Sequence, residues 1–236
     1  MQQWPQGTLI DFLSPQARAA LISAGSQQDF QPGQHLVREG ERSTGVYLLL
    51  SGCAKVTGNT IDGKLVTIDI RVAGDLVGEF AAFDGGPRSS TVTAATSVAV
   101  RFISQPEFRR LLDAHPNVAR ATSQSMTTKL RSSTSRWVDT SVGSAEVRLA
   151  RLLAYLSDRY GIPSPEGLLI NVPLSQGEIA DLIGASQPSV QRAFAYLRHR
   201  AAVRTRYRRQ LIADQELLRR IADLRDAEMQ VRAARS

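Results

Sequence analysis

Side chains that can form paired hydrogen bonds with nucleic-acid bases are concentrated between residues 187 and 209 of this 236-residue chain. The guanidinium of Arg192 can pair bidentately with guanine, and the amides of Gln187 and Gln191 can do the same with adenine. Ser189 lies beside them and suits a phosphate contact, which positions a protein without reading its sequence. Arg192 is therefore the first choice for reading a base, and the two glutamines come second.

The same stretch carries an arginine run. Seven arginines and no carboxylate lie between Arg192 and Arg209. Such a segment repels itself unless it meets a polyanion, although a charge run is more often only a solvated face. Residues 1–116 hold 10 Lys and Arg against 11 Asp and Glu, whereas residues 117–236 hold 19 against 11. The whole positive excess, +7 for the chain, therefore lies in the C-terminal half.

The residues around these side chains predict two short helices joined by a turn. Ser175 and Glu178 form a capping box that opens the first helix, and Gly184 ends it. Ser186 is a good N-cap for the second helix, and Pro188 falls in its first turn, where a missing N–H costs nothing. This pattern is typical of a helix-turn-helix, whose second helix enters the major groove of DNA. A plain helical hairpin is the alternative.

The chain after the second helix predicts a β-hairpin wing over residues 202–213. Arg206 and Arg208 in this hairpin would contact backbone phosphates. Asp214 then caps a last helix. Upstream of the two helices, residues 161–167 contain two glycines and two prolines, which predicts a loop.

The N-terminal half predicts short strands separated by glycines. β-Branched runs at 46–50, 65–70 and 97–103 are bounded by turn signals, which favours a small sandwich or roll over a parallel sheet. A helix is predicted from Gln105 to Ala114, with Pro106 in its first turn.

A long segment from Asn117 to about Val142 contains neither proline nor glycine. Positions within it recur at alternating spacings of four and three residues, as in the seam of a two-stranded coiled coil. These positions are Ala119, Ser123, Met126, Leu130, Ser133, Trp137 and Thr140. The pattern predicts a dimerisation helix and a homodimer, and the alternative is an amphipathic helix that packs on its own domain.

Residues 74–94 resemble the phosphate-binding cassette of cyclic-nucleotide-binding domains, in which Gly-Glu, a short helical turn and Pro-Arg-Ser precede a strand. The resemblance implies that Arg88 binds the phosphate and that Ser89 assists it. It also implies that Glu79 accepts a hydrogen bond from the ribose and that Gly78 permits a close approach. Helix N-terminal amides and a guanidinium suit a singly charged cyclic phosphate. Plain surface ion pairs are the alternative.

With the helix-turn-helix behind the cassette, the chain resembles the CRP/FNR family of the cyclic-AMP receptor protein and the fumarate–nitrate regulator. The resemblance implies an α+β fold with a cyclic-nucleotide-binding β-roll over 1–116, a dimerisation helix over 117–142 and a winged helix-turn-helix over 143–236. It further implies a sequence-specific transcription regulator under allosteric control by a cyclic nucleotide, with cyclic AMP favoured over cyclic GMP. The implied partners are double-stranded DNA carrying an inverted-repeat operator, a second copy of the chain and RNA polymerase.

Two further features depend on this resemblance. Counting back from Val147, the family's adenine contacts fall on Ser133 and Thr134. Gln187 stands where the family's best-known member has an arginine, and Pro188 stands where that member places a glutamate on cytosine. The familiar half-site sequence is therefore not expected.

The remaining composition argues against other classes of protein. One cysteine excludes an internal disulfide and an iron–sulfur cluster, and the three histidines share no metal-ligand spacing, so no metal is expected. With no membrane-length apolar stretch and no signal peptide, we expect a cytoplasmic protein without a membrane partner. A β-barrel enzyme would need clustered His and Glu, and the strands offer only His35. The main alternative is a ligand-independent, or other-ligand, regulator with a relic nucleotide pocket.

Overall fold

The computed structural model describes residues 4–141, 143–206 and 209–223. The chain forms two compact units, residues 1–131 and residues 132–236. The predicted boundaries after residues 116 and 142 stay predictions, because the division between the compact units falls inside one continuous helix.

The N-terminal unit begins with a 3-10 turn (Ile10–Phe12) and α1 (Pro15–Ser23), and ends in helices α3 (Gln105–Ala114) and α4 (Pro116–Ser141). A short helix, α2 (Glu79–Asp84), interrupts its strands. The strands are β1 (Ser26–Phe30), β2 (His35–Val37), β3 (Val46–Leu49), β4 (Cys53–Asn59), β5 (Leu65–Val72), β6 (Leu76–Val77), β7 (Thr91–Ala94) and β8 (Val98–Ile103).

These strands form two four-stranded sheets in the orders β1-β8-β3-β6 and β2-β7-β4-β5, with antiparallel pairing. One apolar core joins residues of both sheets, including Leu49 and Val100 of the first sheet and Val56 and Val92 of the second. A second core lies under α1, α3 and the start of α4, around Phe108. The prediction of a small antiparallel sandwich is confirmed.

The C-terminal unit contains the end of α4 and a mixture of helices and short strands. They are α5 (Ala145–Tyr160), β9 (Gly161–Ser164), β10 (Gly167–Ile170), α6 (Gln176–Ile183), α7 (Gln187–His199), β11 (Val203–Arg206), β12 (Arg209–Ile212) and α8 (Gln215–Ala222). The strands form one sheet in the order β11-β12-β10-β9. No helix within the described ranges is long and apolar enough to cross a membrane.

The loop predicted over residues 161–167 is wrong. Strands β9 and β10 pair antiparallel there, with Gly167 opposite Ser164. Pro163 is tolerated because β9 is the edge strand, where a residue without an N–H removes no ladder bond on the outer side. The predicted wing is therefore the other half of a four-stranded sheet rather than an isolated hairpin.

Helix α4 presents two different faces in its first half. Val118, Ala121 and Lys129 are buried on the N-terminal unit, whereas the seam positions Ser123 and Leu130 are exposed. One stripe of the helix thus packs on its own unit, as the amphipathic alternative requires, and the seam stripe remains at the surface. The seam position Thr140 has a side chain outside the described part of the chain.

Candidate functional site

The cassette is positioned by the junction of β6 and α2. Gly78 caps α2 with a φ of 86°, in the left-handed region that favours glycine. A Cβ at this position would lie 2.3 Å from Arg88 Nη1 and 3.0 Å from the Gly45 carbonyl oxygen. Glycine is therefore required here by the close approach of the protein's own arginine.

Arg88 is buried, with only 4% of its surface exposed. Its Nε donates to Ser43 Oγ at 3.0 Å, its Nη1 to the Gly78 carbonyl at 2.8 Å and its Nη2 to the Gly45 carbonyl at 2.6 Å. Burial lowers the pKa of this guanidinium, and the phenol of Tyr47 acts in the opposite direction. Arg88 thus ties the 43–45 segment to the cassette, and Ser43 is a partner that sequence reasoning missed.

Glu79 is also buried, and its partner comes from α4. Lys129 Nζ donates to Glu79 Oε1 at 2.7 Å and to the Leu76 carbonyl at 2.6 Å. Burial alone would raise the pKa of Glu79, but the charge and hydrogen bond of Lys129, aided by Arg71, outweigh it and hold that pKa below its ordinary value. No local motif marks Lys129, because 50 residues separate it from Glu79.

The sequence analysis also did not identify Arg71, a second arginine close to the cassette. Arg71 on β5 is paired with Asp69 and donates to the Ile70 carbonyl at 2.9 Å. Burial lowers its pKa, but the charges of Asp69, Asp75 and Glu79 outweigh this and raise it. Arg71 is therefore a permanent cation beside Glu79.

Glu79, Arg88, Gly78 and Ser89 line one cavity, together with Arg71 and apolar side chains. Its volume is about 60 Å³. Pockets that hold drug-sized ligands usually measure roughly 300–1,000 Å³. A cyclic nucleotide therefore requires this cavity to widen.

Ser133 and Thr134 lie on the part of α4 that belongs to the C-terminal unit, and both are exposed there. Arg136 Nη2 donates to Ser133 Oγ at 3.4 Å. Their predicted contact with a nucleotide base stays a prediction.

The helix-turn-helix has the local geometry that its caps predict. In the capping box, Glu178 N donates to Ser175 Oγ at 3.2 Å and Ser175 N donates to Glu178 Oε2 at 2.7 Å. Gly184 ends α6 with a φ of 59°, and Ser186 caps α7. Buried side chains of α6 and α7 form the shared core, including the small Ala180. These features fix the orientation of α7 relative to α6.

The predicted reading residues share the outer face at the start of α7. Gln187, Gln191 and Arg192 are exposed, and Ser189 is half-buried. Arg192 Nη2 donates to Ser189 Oγ at 3.1 Å. Gln191 Nε2 donates to Gln176 Oε1, also at 3.1 Å, which adds a residue of α6 that sequence reasoning missed. This face can present amide and guanidinium donors to a groove without rearrangement of the backbone.

The wing residues fall at the edge of the described chain. Arg208 and the side chain of Arg206 lie outside the described residues. Arg204 on β11 is exposed and pairs with Glu166 at 3.4 Å. Arg209 on β12 is exposed as well. The strands therefore carry basic side chains to the surface, and the phosphate contacts of Arg206 and Arg208 stay predictions.

Comparison with known proteins matches both halves of the chain. The cyclic nucleotide-binding domain family matches residues 27–115, and the Crp-like helix-turn-helix domain family matches residues 147–221. A CRP-like cAMP-activated global transcriptional regulator from Mycobacterium tuberculosis is 30% identical over 210 residues, covering 89% of this chain and 94% of that protein. The chain belongs to the CRP/FNR family of transcription regulators. As a CRP/FNR regulator it binds DNA and is not an enzyme.

Other relatives of this CRP/FNR regulator support the same family assignment. The cAMP-activated global transcriptional regulator CRP from Escherichia coli O157:H7 is 26% identical over 164 residues, covering 69% of this chain and 77% of that protein. A CRP-family transcriptional regulator from Thermus thermophilus has a solved structure with a TM-score of 0.69 and 27% identity, covering 83% of this chain and 96% of that one. The structure of FixK2 from Bradyrhizobium japonicum, at 18% identity and a TM-score of 0.72, shares the fold.

Proposed function

We propose that this regulator binds cyclic AMP in its cassette and that the bound nucleotide controls its affinity for an inverted-repeat operator. The observation that carries the proposal is the convergence of Gly78, Glu79 and Arg88 on one cavity. Cyclic GMP is the alternative ligand. The Mycobacterium tuberculosis and Escherichia coli relatives are both cAMP-activated regulators, which supports the choice of cyclic AMP.

The ion pair of Glu79 with Lys129 supplies a mechanism for the switch. A ribose hydroxyl that donates to Glu79 must compete with Lys129 Nζ, which lies on α4. Helix α4 continues to Ser141, into the C-terminal unit, where Ser133 and Thr134 are expected to contact the base. A nucleotide that binds one placement of α4 better shifts the equilibrium by that differential affinity. A coupling of about 1–3 kcal/mol, or five- to 150-fold in DNA affinity, is typical.

The regulator is further proposed to act in the cytoplasm as a homodimer that recruits RNA polymerase. Two recognition helices about 34 Å apart would then read the two halves of the operator. Exposed apolar side chains on α4 support dimerisation, since Leu130 is 69% and Trp137 74% exposed.

Trp137→Glu tests the dimer. Two carboxylates facing each other across the seam should separate the subunits, and light scattering should then report the mass of one chain. Val138→Glu, one residue along the helix and off the predicted seam, is the matched control. If Trp137→Glu stays dimeric, the seam is wrongly placed.

The experiment that tests the switch is a calorimetric titration of nucleotide-free protein with cyclic AMP, cyclic GMP and AMP, followed by operator affinity with and without saturating nucleotide. A double variant, Glu79→Gln with Lys129→Met, removes the ribose acceptor and its buried partner together, which avoids leaving one charge uncompensated. Its nucleotide affinity should fall about tenfold or more. Asp62→Asn at an exposed turn is the control.

The second candidate is a ligand-independent regulator with a relic pocket. The observation that favours it is that Arg88 and Glu79 already bond to other groups of the protein, around a cavity of only about 60 Å³. Operator affinity that is unchanged by either cyclic nucleotide would select this candidate.

A further inference from the structure

The first turn of α6 contacts both glutamines that are predicted to read bases from α7. Gln191 Nε2 donates to Oε1 of Gln176, the first residue of α6, at 3.1 Å. A Cβ added to Gly177 would lie 2.8 Å from Gln187 Nε2, so the second glutamine lies against the same turn. All three glutamines are exposed. These contacts therefore lie on the outer face of the helix-turn-helix and add little to its buried core.

The bond to Gln176 uses one of the two N–H groups of the Gln191 amide. A glutamine side chain carries two N–H donors and one carbonyl acceptor. Among the described residues, no other hydrogen bond involves the side chain of Gln191. Gln176 therefore leaves Gln191 with one N–H donor and one acceptor, Oε1, for a ligand in front of α7.

One donor beside one acceptor matches adenine and does not match guanine. In the major groove adenine presents an acceptor, N7, next to a donor, the N6 amino group, whereas guanine presents two acceptors, N7 and O6. A free glutamine can turn its amide and meet guanine with both N–H groups. Gln191 in its bond to Gln176 has only one N–H left, so its Oε1 would face guanine O6 without a proton between them, which is costly once water is excluded.

We propose that Gln176 is a positioning residue that fixes the amide of Gln191, so that Gln191 pairs with adenine and rejects guanine. Gln176 acts through Gln191 and does not itself read a base. The inference rests on the predicted reading of bases by α7 in the major groove, and it does not depend on which effector the regulator binds. It gives the first helix of the motif a part in sequence preference.

The opposite orientation of this glutamine pair predicts the opposite preference. If Gln176 donated to Oε1 of Gln191, Gln191 would keep both N–H groups and would suit the two acceptors of guanine. The preference between the two purines therefore reports which amide donates.

The test begins with the base pair that Gln191 reads. The full chain selects bound duplexes from a pool that carries a randomised inverted repeat, in parallel with and without cyclic AMP, and single duplexes are then titrated. Gln191→Ala should lose its preference at one position of each half-site, and that position identifies the base pair. The wild type should bind duplexes with adenine there more tightly than those with guanine, by about fivefold or more.

Variants of Gln176 then test the positioning role. Gln176→Met keeps the length of the side chain but removes the acceptor, so the ratio of adenine to guanine affinity at that position should fall close to unity. Gln176→Glu keeps an acceptor oxygen and should retain the ratio, although its charge weakens binding to every duplex. Gln215→Met, the same change at the exposed first residue of α8, is the matched control and should bind like the wild type. Thermal midpoints of unfolding should shift by about 2 °C or less.

Four results would overturn the inference. They are an unchanged ratio in Gln176→Met, an equal weakening of all duplexes by that variant, a ratio that is lost in Gln176→Glu as well, and a wild-type preference for guanine. The second of these would mark Gln176 as a phosphate contact. A wild type that selects no sequence, or a Gln191→Ala variant without an effect at one position, would instead remove base reading by Gln191 and the inference with it.

Discussion

In the cassette, Glu79 and Arg88, the two charged side chains expected to hold a nucleotide, are buried and bonded to distant parts of the N-terminal unit. In α7, the side chains expected to touch DNA are exposed, and their described bonds are short-range or reach only the neighbouring helix. Binding at α7 therefore requires little beyond desolvation and side-chain ordering. Binding at the cassette must break existing contacts, which is the condition for a two-state element that a ligand can bias. The proposed function thus combines a preformed DNA-reading helix with a nucleotide site that must rearrange.

Lys129→Met should give the largest effect, because it removes the only cation that a hydrogen bond joins to the buried Glu79 carboxylate among the described residues, and leaves the charge of Arg71 alone to offset its burial. The expected loss is about 3–5 kcal/mol of unfolding free energy at neutral pH. In the wild type the pKa of Glu79 is lowered, so its contribution to stability is full at neutral pH and is lost as the pH falls through that value. In the variant, burial should raise the pKa instead. The deficit should therefore shrink on acidification, as measured by urea unfolding at several pH values.

The control for this variant is Lys64→Met, which removes a lysine from an exposed turn. Its stability should change by less than about 0.5 kcal/mol at every pH. A deficit in Lys129→Met that stays constant with pH would contradict the role assigned to the Glu79 pair.

Arg88→Met should give the second-largest effect on stability. It removes the donor to the buried Gly45 carbonyl and one of two donors to the half-buried Gly78 carbonyl, which Ala82 N still contacts, at a cost of about 1–3 kcal/mol. Chemical denaturation without any nucleotide measures this loss. If stability is unchanged, Arg88 is not a structural residue, and the contrast between the cassette and α7 fails.

Arg192→Ala should leave folding stability almost unchanged but weaken binding to the cognate operator by about 1–3 kcal/mol, with relaxed preference at one base pair. Arg208→Ala is the matched comparison. It should weaken binding to all sequences similarly and flatten the salt dependence, because its expected contact is a phosphate. Equal effects of the two variants on specific and random DNA would remove this division of roles.

The smallest effect is expected at the end of α7, where Ala201 has a φ of 57°. Alanine is strained in this left-handed region, and glycine is not. Ala201→Gly should raise the unfolding free energy by about 0.5–1 kcal/mol and leave operator affinity unchanged. A thermal unfolding scan and one binding titration measure both; a loss of stability would contradict the assigned strain.

Local signals account for what the sequence predicted well. The caps Ser175, Gly184 and Ser186 lie within a few residues of the backbone groups they satisfy, so the ends of α6 and α7 can be predicted from the sequence. The antiparallel sandwich follows from strand runs bounded by turns. The edge strand β9 was missed because its proline and glycine signals outweigh a weak strand pattern until the sheet order is known.

The parts of the site that the sequence did not predict depend on long-range partners. Lys129, Ser43 and Arg71 have no motif around them, and their roles depend on groups brought close only by the fold. Helix α4 shows the same limit. Its seam spacing was visible, but the buried stripe through Val118, Ala121 and Lys129 could be recognised only once the sandwich beside it was formed.

The bonds of Arg88 to the carbonyls of Gly78 and Gly45 have a consequence for the evolution of such cassettes. A descendant that no longer used any effector would still lose stability on replacing this arginine, so selection for folding alone would retain it. The glycine at 78 would be retained with it, since a Cβ there meets the same guanidinium. The glycine and the arginine in a related sequence are therefore explained by folding alone, and effector use in that relative has to be inferred from the glutamate and from the residues around the base.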